Sequence, residues 1–252
     1  MMLLLDIGNS RLKWALVKGA RFSAGGAIPH HGTPAKLLRT LKLPAPGEIW
    51  LAHVLGAAHE KPLLGAIRAC FGVAPRIART RKECKGLRVA YATPSRLGVD
   101  RFLAMLALWS ETQRAFCVAT AGTALTFDAV DARGRHRGGL IAPGMATAWN
   151  AVRGATRFEM RSPDYDARGH AAPLRYARGL GTDTDGCVRQ GTLYACAGLV
   201  ERAAREAGGT RVLGGGDARR LRPHLDGNWI ERPNLVLEGL RVYARNWAWE
   251  HR

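Results

Sequence analysis

Acidic side chains are scarce in this sequence: its 252 residues carry 38 Lys and Arg against 20 Asp and Glu, a formal net charge of +18. Such a field draws in anionic substrates or a polyanion. The basic residues are mostly arginines spread over the whole length, with no lysine-rich block, basic tail or zinc-finger or RNP-like spacing, which argues against nucleic acid as a partner. Cysteine is also sparse. Cys70, Cys84, Cys117, Cys187 and Cys196 are odd in number, scattered, and form no C-x-x-C pair. That excludes a disulfide framework and predicts reduced thiols in a cytoplasmic protein. Long apolar runs are missing too. Met1–Leu5 is apolar but meets Asp6, Asn9 and Arg11, too short for a signal-peptide core or a membrane span. No G-x-x-x-x-G-K-[ST] run occurs, so a P-loop NTPase is excluded, and no G-x-G-x-x-G opens a helix after a strand.

What is present includes 47% hydrophobic residues, enough for one large core or two smaller ones. The organising feature is an internal echo. Leu3-Leu4-Leu5 runs into Asp6-Ile7-Gly8-Asn9-Ser10 and then into Arg11–Leu16, which alternates at strand period. Phe116–Ala119 runs into Thr120-Ala121-Gly122-Thr123-Ala124 and then into Leu125–Val130, again at period two. Strand, tight turn, strand is therefore expected twice, heading two α/β halves over residues 1–115 and 116–252.

Between the echoes, Thr33 with Pro34 caps a helix, and Lys61–Cys70 reads as a helix ended by Gly72. A longer apolar helix follows Asp100-Arg101, while Ile49–Val54 and Arg88–Tyr91 read as strands. Later come a long helix from about Asp185 to Ala207, a strand at Arg211–Leu213 and a C-terminal helix around Leu235–Trp247.

A glycine in a strand-to-strand turn flanked by short polar side chains lets backbone N–H groups face phosphate oxygens. Gly8 and Gly122 both fit. In the first turn Asp6 can hold Mg²⁺, Asn9 and Ser10 can donate to phosphate, and Lys13, on the same strand face as Arg11, can neutralise its charge. A single such turn is equally a plain hairpin. Two matched turns change the balance, since a nucleotide gripped between two domains needs one phosphate loop from each. Gly214-Gly215-Gly216, after a strand and before Asp217, is either the adenosine-side loop or a flexible strand-to-helix turn. The Asp100-Arg101 pair at a helix start keeps a carboxylate ionised and ready to accept a hydrogen bond from a substrate hydroxyl, although a surface salt bridge has the same signature. Eight histidines, among them His30, His31, His53, His136, His170 and His251, show no ligand spacing beyond the adjacent pair.

The ordered set Asp6–Lys13, Tyr91 with Leu97-Gly98-Val99-Asp100-Arg101, Ala121–Ala124, Gly138–Gly144, and Thr184 ahead of Cys187-Val188 and Gly191 resembles type III pantothenate kinase, over nearly the whole chain. That family belongs to the actin-like ATPase superfamily and includes Bvg accessory factor-like proteins. The resemblance implies two ribonuclease H-like (actin-like ATPase) domains, each opening with a β-hairpin phosphate loop. It implies ATP-dependent phosphorylation of the primary hydroxyl of pantothenate, the first step of coenzyme A biosynthesis, by a cytoplasmic homodimer using Mg²⁺ and a monovalent cation, K⁺ or NH₄⁺. Asp100 would be the general base. Asp6, Ile7, Gly8, Asn9, Ser10, Arg11, Leu12, Lys13, Gly122 and Thr123 would hold ATP. Tyr91, Gly98, Val99, Asp100, Arg101 and Thr184 would line the pantothenate pocket. Where the family often has an aspartate for the monovalent cation, this chain has Thr120, whose neutral hydroxyl should weaken that site or change its ion preference. Competing readings are a regulatory or accessory protein of the same fold that binds DNA or a protein, and a sugar or acetate kinase relative with another acceptor.

Overall fold

The computed structural model describes residues 1–30, 32–157 and 179–250. His31, His170 and His251 lie outside them. The chain divides into two compact units, the first made of Met1–Ala115, Val130–Gly138 and the C-terminal stretch from Asn234, the second of Phe116–Ala129 and the described residues of Gly139–Pro233. Val130–Gly138 and the C-terminal stretch thus group with the first unit, away from their sequence neighbours.

The first unit is built on a five-stranded sheet of order β3-β2-β1-β4-β5, formed by β1 (Met2–Ile7), β2 (Arg11–Lys18), β3 (Arg21–Pro29), β4 (Glu48–His53) and β5 (Arg76–Ile77). β1 runs antiparallel to β2 and parallel to β4, so it is central and its Leu3, Leu4 and Leu5 are all fully buried. Strand alternation divides the two faces. Leu3, Leu5, Ile7, Ile49 and Leu51 share one core with Leu38 of α1 (Pro34–Leu38) and Leu63 and Ile67 of α2 (Ala57–Phe71). Burying each of these aliphatic side chains contributes about 1.5–3 kcal/mol. Leu4, Asp6, Trp50 and Ala52 fall on the opposite face, where Trp50 meets Tyr243 and Trp247 edge-on at 5.7 and 6.0 Å. Those aromatics belong to α7 (Leu235–Glu250), which lies against α3 (Val99–Thr112) so closely at Gly239 that a methyl there would overlap the Leu103 carbonyl.

The expected strand at Arg88–Tyr91 shrinks to β7 (Leu87–Arg88), paired with β6 (Glu83–Cys84). Past Arg88 the Val89 N–H still donates to the Lys82 carbonyl at 2.9 Å, but the Val89 and Tyr91 carbonyls accept from the Lys82 ammonium at 2.9 and 3.1 Å, while the Arg88 N–H goes to the Gly134 carbonyl. Gly72 ends α2 with φ +71°, the left-handed terminator its position predicts. Thr33 does precede α1, but its hydroxyl donates to the His30 carbonyl at 3.1 Å and makes no side-chain cap.

The second unit repeats the plan. Its sheet has the order β10-β9-β8-β11-β12, with β8 (Phe116–Ala121), β9 (Ala124–Val130), β10 (His136–Pro143), β11 (Thr210–Gly214) and β12 (Trp229–Glu231). Position for position this matches the first sheet, and β8 is parallel to β11 as β1 is to β4. Cys117, Ala119, Ala121, Leu125 and Phe127 form its core with Leu193, Cys196 and Val200 of α5 (Thr184–Ala207), next to α4 (Met145–Ala155) and the short α6 (Ala218–Leu221). No helix among the described residues is long and apolar enough to cross a membrane.

Candidate active site

The Gly8 turn joins β1 to β2. Ile7 pairs with Leu12, and the Gly8 N–H closes the bend on the Arg11 carbonyl at 3.0 Å, leaving Asn9, Ser10 and Arg11 exposed at its tip. The next carbonyls are held from β3. The His30 N–H donates to Ser10 O at 3.1 Å, and the His30 imidazole meets Gly8 O through Nε2 at 2.8 Å. His30 received no role from its sequence context.

Asp6 sits one residue inside the turn, 8% exposed, opposite Lys13 in the β1–β2 register. Burial pushes its carboxyl up to about 7, the Lys13 ammonium pulls it down, and the charge of Asp100 raises it further. Asp6, Lys13 and Asp100 therefore all belong to the first unit, with Asp6 and Lys13 paired in the β1–β2 register.

Asp100 occupies the first turn of α3, where the helix dipole favours a negative side chain. Its Oδ1 accepts the backbone N–H of Arg101 at 2.8 Å. Gly98 makes room for that carboxylate, because a Cβ at 98 would stand 2.6 Å from Oδ1. Arg101 is 6% exposed, and its guanidinium donates to the Tyr91 hydroxyl at 3.2 Å. The Tyr91 ring in turn stacks on His136, with centroids 6.2 Å apart and planes at 14°. Tyr91, Gly98, Asp100 and Arg101 are thus one connected cluster, and Val99, buried, anchors the helix start beneath it.

The Gly122 turn joins β8 to β9 and is held as firmly as the first by different residues. Gly122 N–H donates to Ala124 O at 3.1 Å, while the Thr123 carbonyl accepts the Gly144 N–H at 3.0 Å and the Thr147 hydroxyl at 2.6 Å. A methyl on Gly144 would overlap the Gly122 carbonyl, and one on Gly215 the Ala121 carbonyl, so both glycines are there for close backbone approach. Gly215 also has φ +94°, and the next bend sends the Asp217 N–H to Ala121 O at 3.0 Å. The triple-glycine loop and the Gly122 turn are therefore in contact. Thr120 is half-buried on β8 opposite Gly214. Thr184 is exposed at the first position of α5, whose Asp183 cap accepts the Gly186 N–H at 2.6 Å.

Among the described residues no group of three or more His, Cys, Asp and Glu converges as a metal cage. A hard cation held by one or two carboxylates together with phosphate oxygens and waters needs no such cage, and the Asp6 region fits that donor set.

Comparison with known proteins agrees with this arrangement. A family model described as type III pantothenate kinase matches residues 2–206. The type III pantothenate kinase of Xanthomonas campestris is 36% identical, covering 97% of this chain and 98% of its own length, and that of Halorhodospira halophila is 33% identical over 98% and 99%. Among solved structures, a Campylobacter jejuni protein assigned to the Baf family of transcriptional activators superposes with TM-score 0.62 at 19% identity, covering 98% of this chain and 99% of its own. The activator of 2-hydroxyisocaproyl-CoA dehydratase from Clostridium difficile, with bound ADPNP, gives 0.54 at 13% identity over 99% and 96%. At those identities the structures speak for the fold alone, which is the actin-like one. With its two hairpin turns, the acidic start of α3 and a family match over four-fifths of its length, the chain belongs to the type III pantothenate kinase family.

Proposed function

We propose that this protein transfers the γ-phosphoryl group of ATP to the primary hydroxyl of pantothenate, opening coenzyme A biosynthesis. The observation that carries the reading is the fixed carboxylate of Asp100, seated at the N-terminus of α3 between the Gly98 gap and the Arg101 N–H, within range of the charge on Asp6. Such a carboxylate is a proton acceptor that needs no rearrangement. The proton of the acceptor hydroxyl passes to Asp100 as its oxygen attacks the γ-phosphorus, and the bond to the β–γ bridging oxygen breaks to leave ADP. Catalysis of this kind is mainly positioning and charge neutralisation.

In this reading the Gly8 turn and Lys13 take phosphate oxygens. Gly122 and Thr123 supply a second phosphate-binding turn, and the Gly215 bend the adenosine side. Mg²⁺, held through Asp6, neutralises phosphate charge when bound. Arg101 pairs with an oxygen of pantothenate, and Tyr91 orients the guanidinium through its hydroxyl. Thr184, exposed at the start of α5, supplies a pantothenate contact of its own. Thr120 takes part in a weakened K⁺ or NH₄⁺ site. The enzyme works in the cytoplasm as a homodimer, consistent with Leu140 and Ile141, 46% and 65% exposed on the edge strand β10.

Purified protein with ATP, Mg²⁺ and K⁺ should release ADP when pantothenate is added and not with hexoses, glycerol or acetate. ADP release that follows a sugar or acetate and ignores pantothenate rejects the acceptor assignment.

A further inference from the structure

We propose that His30 is a positioning residue for ATP, acting through the Gly8 turn. The inference rests on the phosphate-binding reading of that turn. His30 is 1% exposed and directly follows β3, whose last residue Pro29 pairs with Arg11, so the register carries it beside the turn. Both ring nitrogens are engaged. Gly32 N–H reaches Nδ1 at 3.2 Å, and Nε2 lies 2.8 Å from the Gly8 carbonyl. An amide N–H can only donate, so Nδ1 holds a lone pair, the proton sits on Nε2, and Nε2–H donates to Gly8 O. The ring is the neutral tautomer, fixed by its two contacts.

The consequence follows from peptide planarity. In a trans peptide the C=O of one residue and the N–H of the next point in opposite directions. His30 holds Gly8 O through its side chain and Ser10 O through its own N–H. It therefore turns the N–H groups of Asn9 and Arg11 to the other side, into the exposed tip where an anion would meet them. A hairpin of two central residues would ordinarily give the first carbonyl to its own strand pair. Here a side chain 22 residues away takes that carbonyl and sets the plane of the Gly8–Asn9 peptide. Preorganised donors of this sort cost no reordering when the phosphates bind.

Two substitutions separate alignment from packing. In His30→Asn the amide oxygen can still accept from Gly32, but no donor reaches Gly8. In His30→Gln the longer amide can donate near the original Nε2 position. The measurements are the KM for ATP, the KM for pantothenate, kcat, and hydrogen exchange of the Gly8 amide, whose N–H closes the turn on Arg11 O, in the unliganded protein. His30→Asn should raise the ATP KM about tenfold, the worth of one hydrogen bond to a buried carbonyl. It should speed exchange at the turn and leave the pantothenate KM within about twofold, while His30→Gln should return most of both effects. The proposal is overturned if both KM values rise together, if His30→Gln behaves as His30→Asn does, or if turn exchange is unchanged. Faster exchange with an unaltered ATP KM retains the lock on the turn but removes its role in ATP binding. Absence of kinase activity in the unsubstituted protein would defeat the acceptor reading separately, with hydrogen exchange still testing the His30 contact.

Discussion

Asp6 faces Lys13 across the β1–β2 ladder, yet its carboxyl is raised to about 7 from an ordinary value of 3.8, because burial outweighs the ammonium and the charge of Asp100 adds to the rise. The unfolded chain would titrate this group near 3.8. Between those values the folded state holds more protons than the unfolded one, so stability falls as pH rises from about 4 to about 7 and then levels. Thermal melts in EDTA should show Asp6→Asn gaining on the parent protein over that window and keeping its advantage above pH 7. Parallel curves would show that Asp6 titrates normally.

Asp100→Asn preserves an oxygen for the Arg101 N–H and removes the basic charge. Turnover should drop by roughly 10²–10⁴-fold, with the ATP KM within a few-fold and the fold intact by circular dichroism. Near-normal kcat would take Asp100 out of proton transfer.

Tyr91→Phe deletes the hydroxyl that receives the Arg101 guanidinium while keeping the ring against His136. Loss of one such bond to a charged group is worth about 1.5–3 kcal/mol when nothing replaces it. The pantothenate KM should rise by about tenfold or more, with the ATP KM little changed, in initial-rate assays. An equal rise in both would mean that Tyr91 supports the fold and not the acceptor.

Gly144→Ala drives a methyl into the Gly122 carbonyl, so the start of α4 or the second turn must move. Overpacking of this kind typically costs about 1–3 kcal/mol. A lowered Tm together with weakened ADP binding by calorimetry is expected. A lowered Tm with native ADP affinity would place the Gly122 turn away from the nucleotide.

The repeated strand–turn–strand heads were legible because their residues are contiguous: Gly8 and Gly122 each lie between runs of strand period, and the two sheets follow one strand order. Asp100 was legible as the start of an apolar helix. What escaped is what depends on register and close approach. His30 reaches Gly8 only because β3 pairs with β2 through an irregularity between Leu16 and Val17, which local pattern does not announce. Gly144 and Thr147 hold the second turn from 20 or more residues away, and Pro143-Gly144 reads locally as an ordinary helix entry. Arg88–Tyr91 has strand composition, but after one backbone bond from Val89 to Lys82 its groups turn to the Lys82 ammonium, the Gly134 carbonyl and the His136 ring rather than to a continuous ladder.

Phosphorylation of pantothenate is read from the product itself. After incubation with ATP, Mg²⁺, K⁺ and pantothenate, mass spectrometry and ³¹P NMR should find one phosphate ester on the primary hydroxyl of pantothenate, in amounts equal to the ADP formed. Unmodified pantothenate after complete turnover of ATP, or no ADP at all under those conditions, would contradict it.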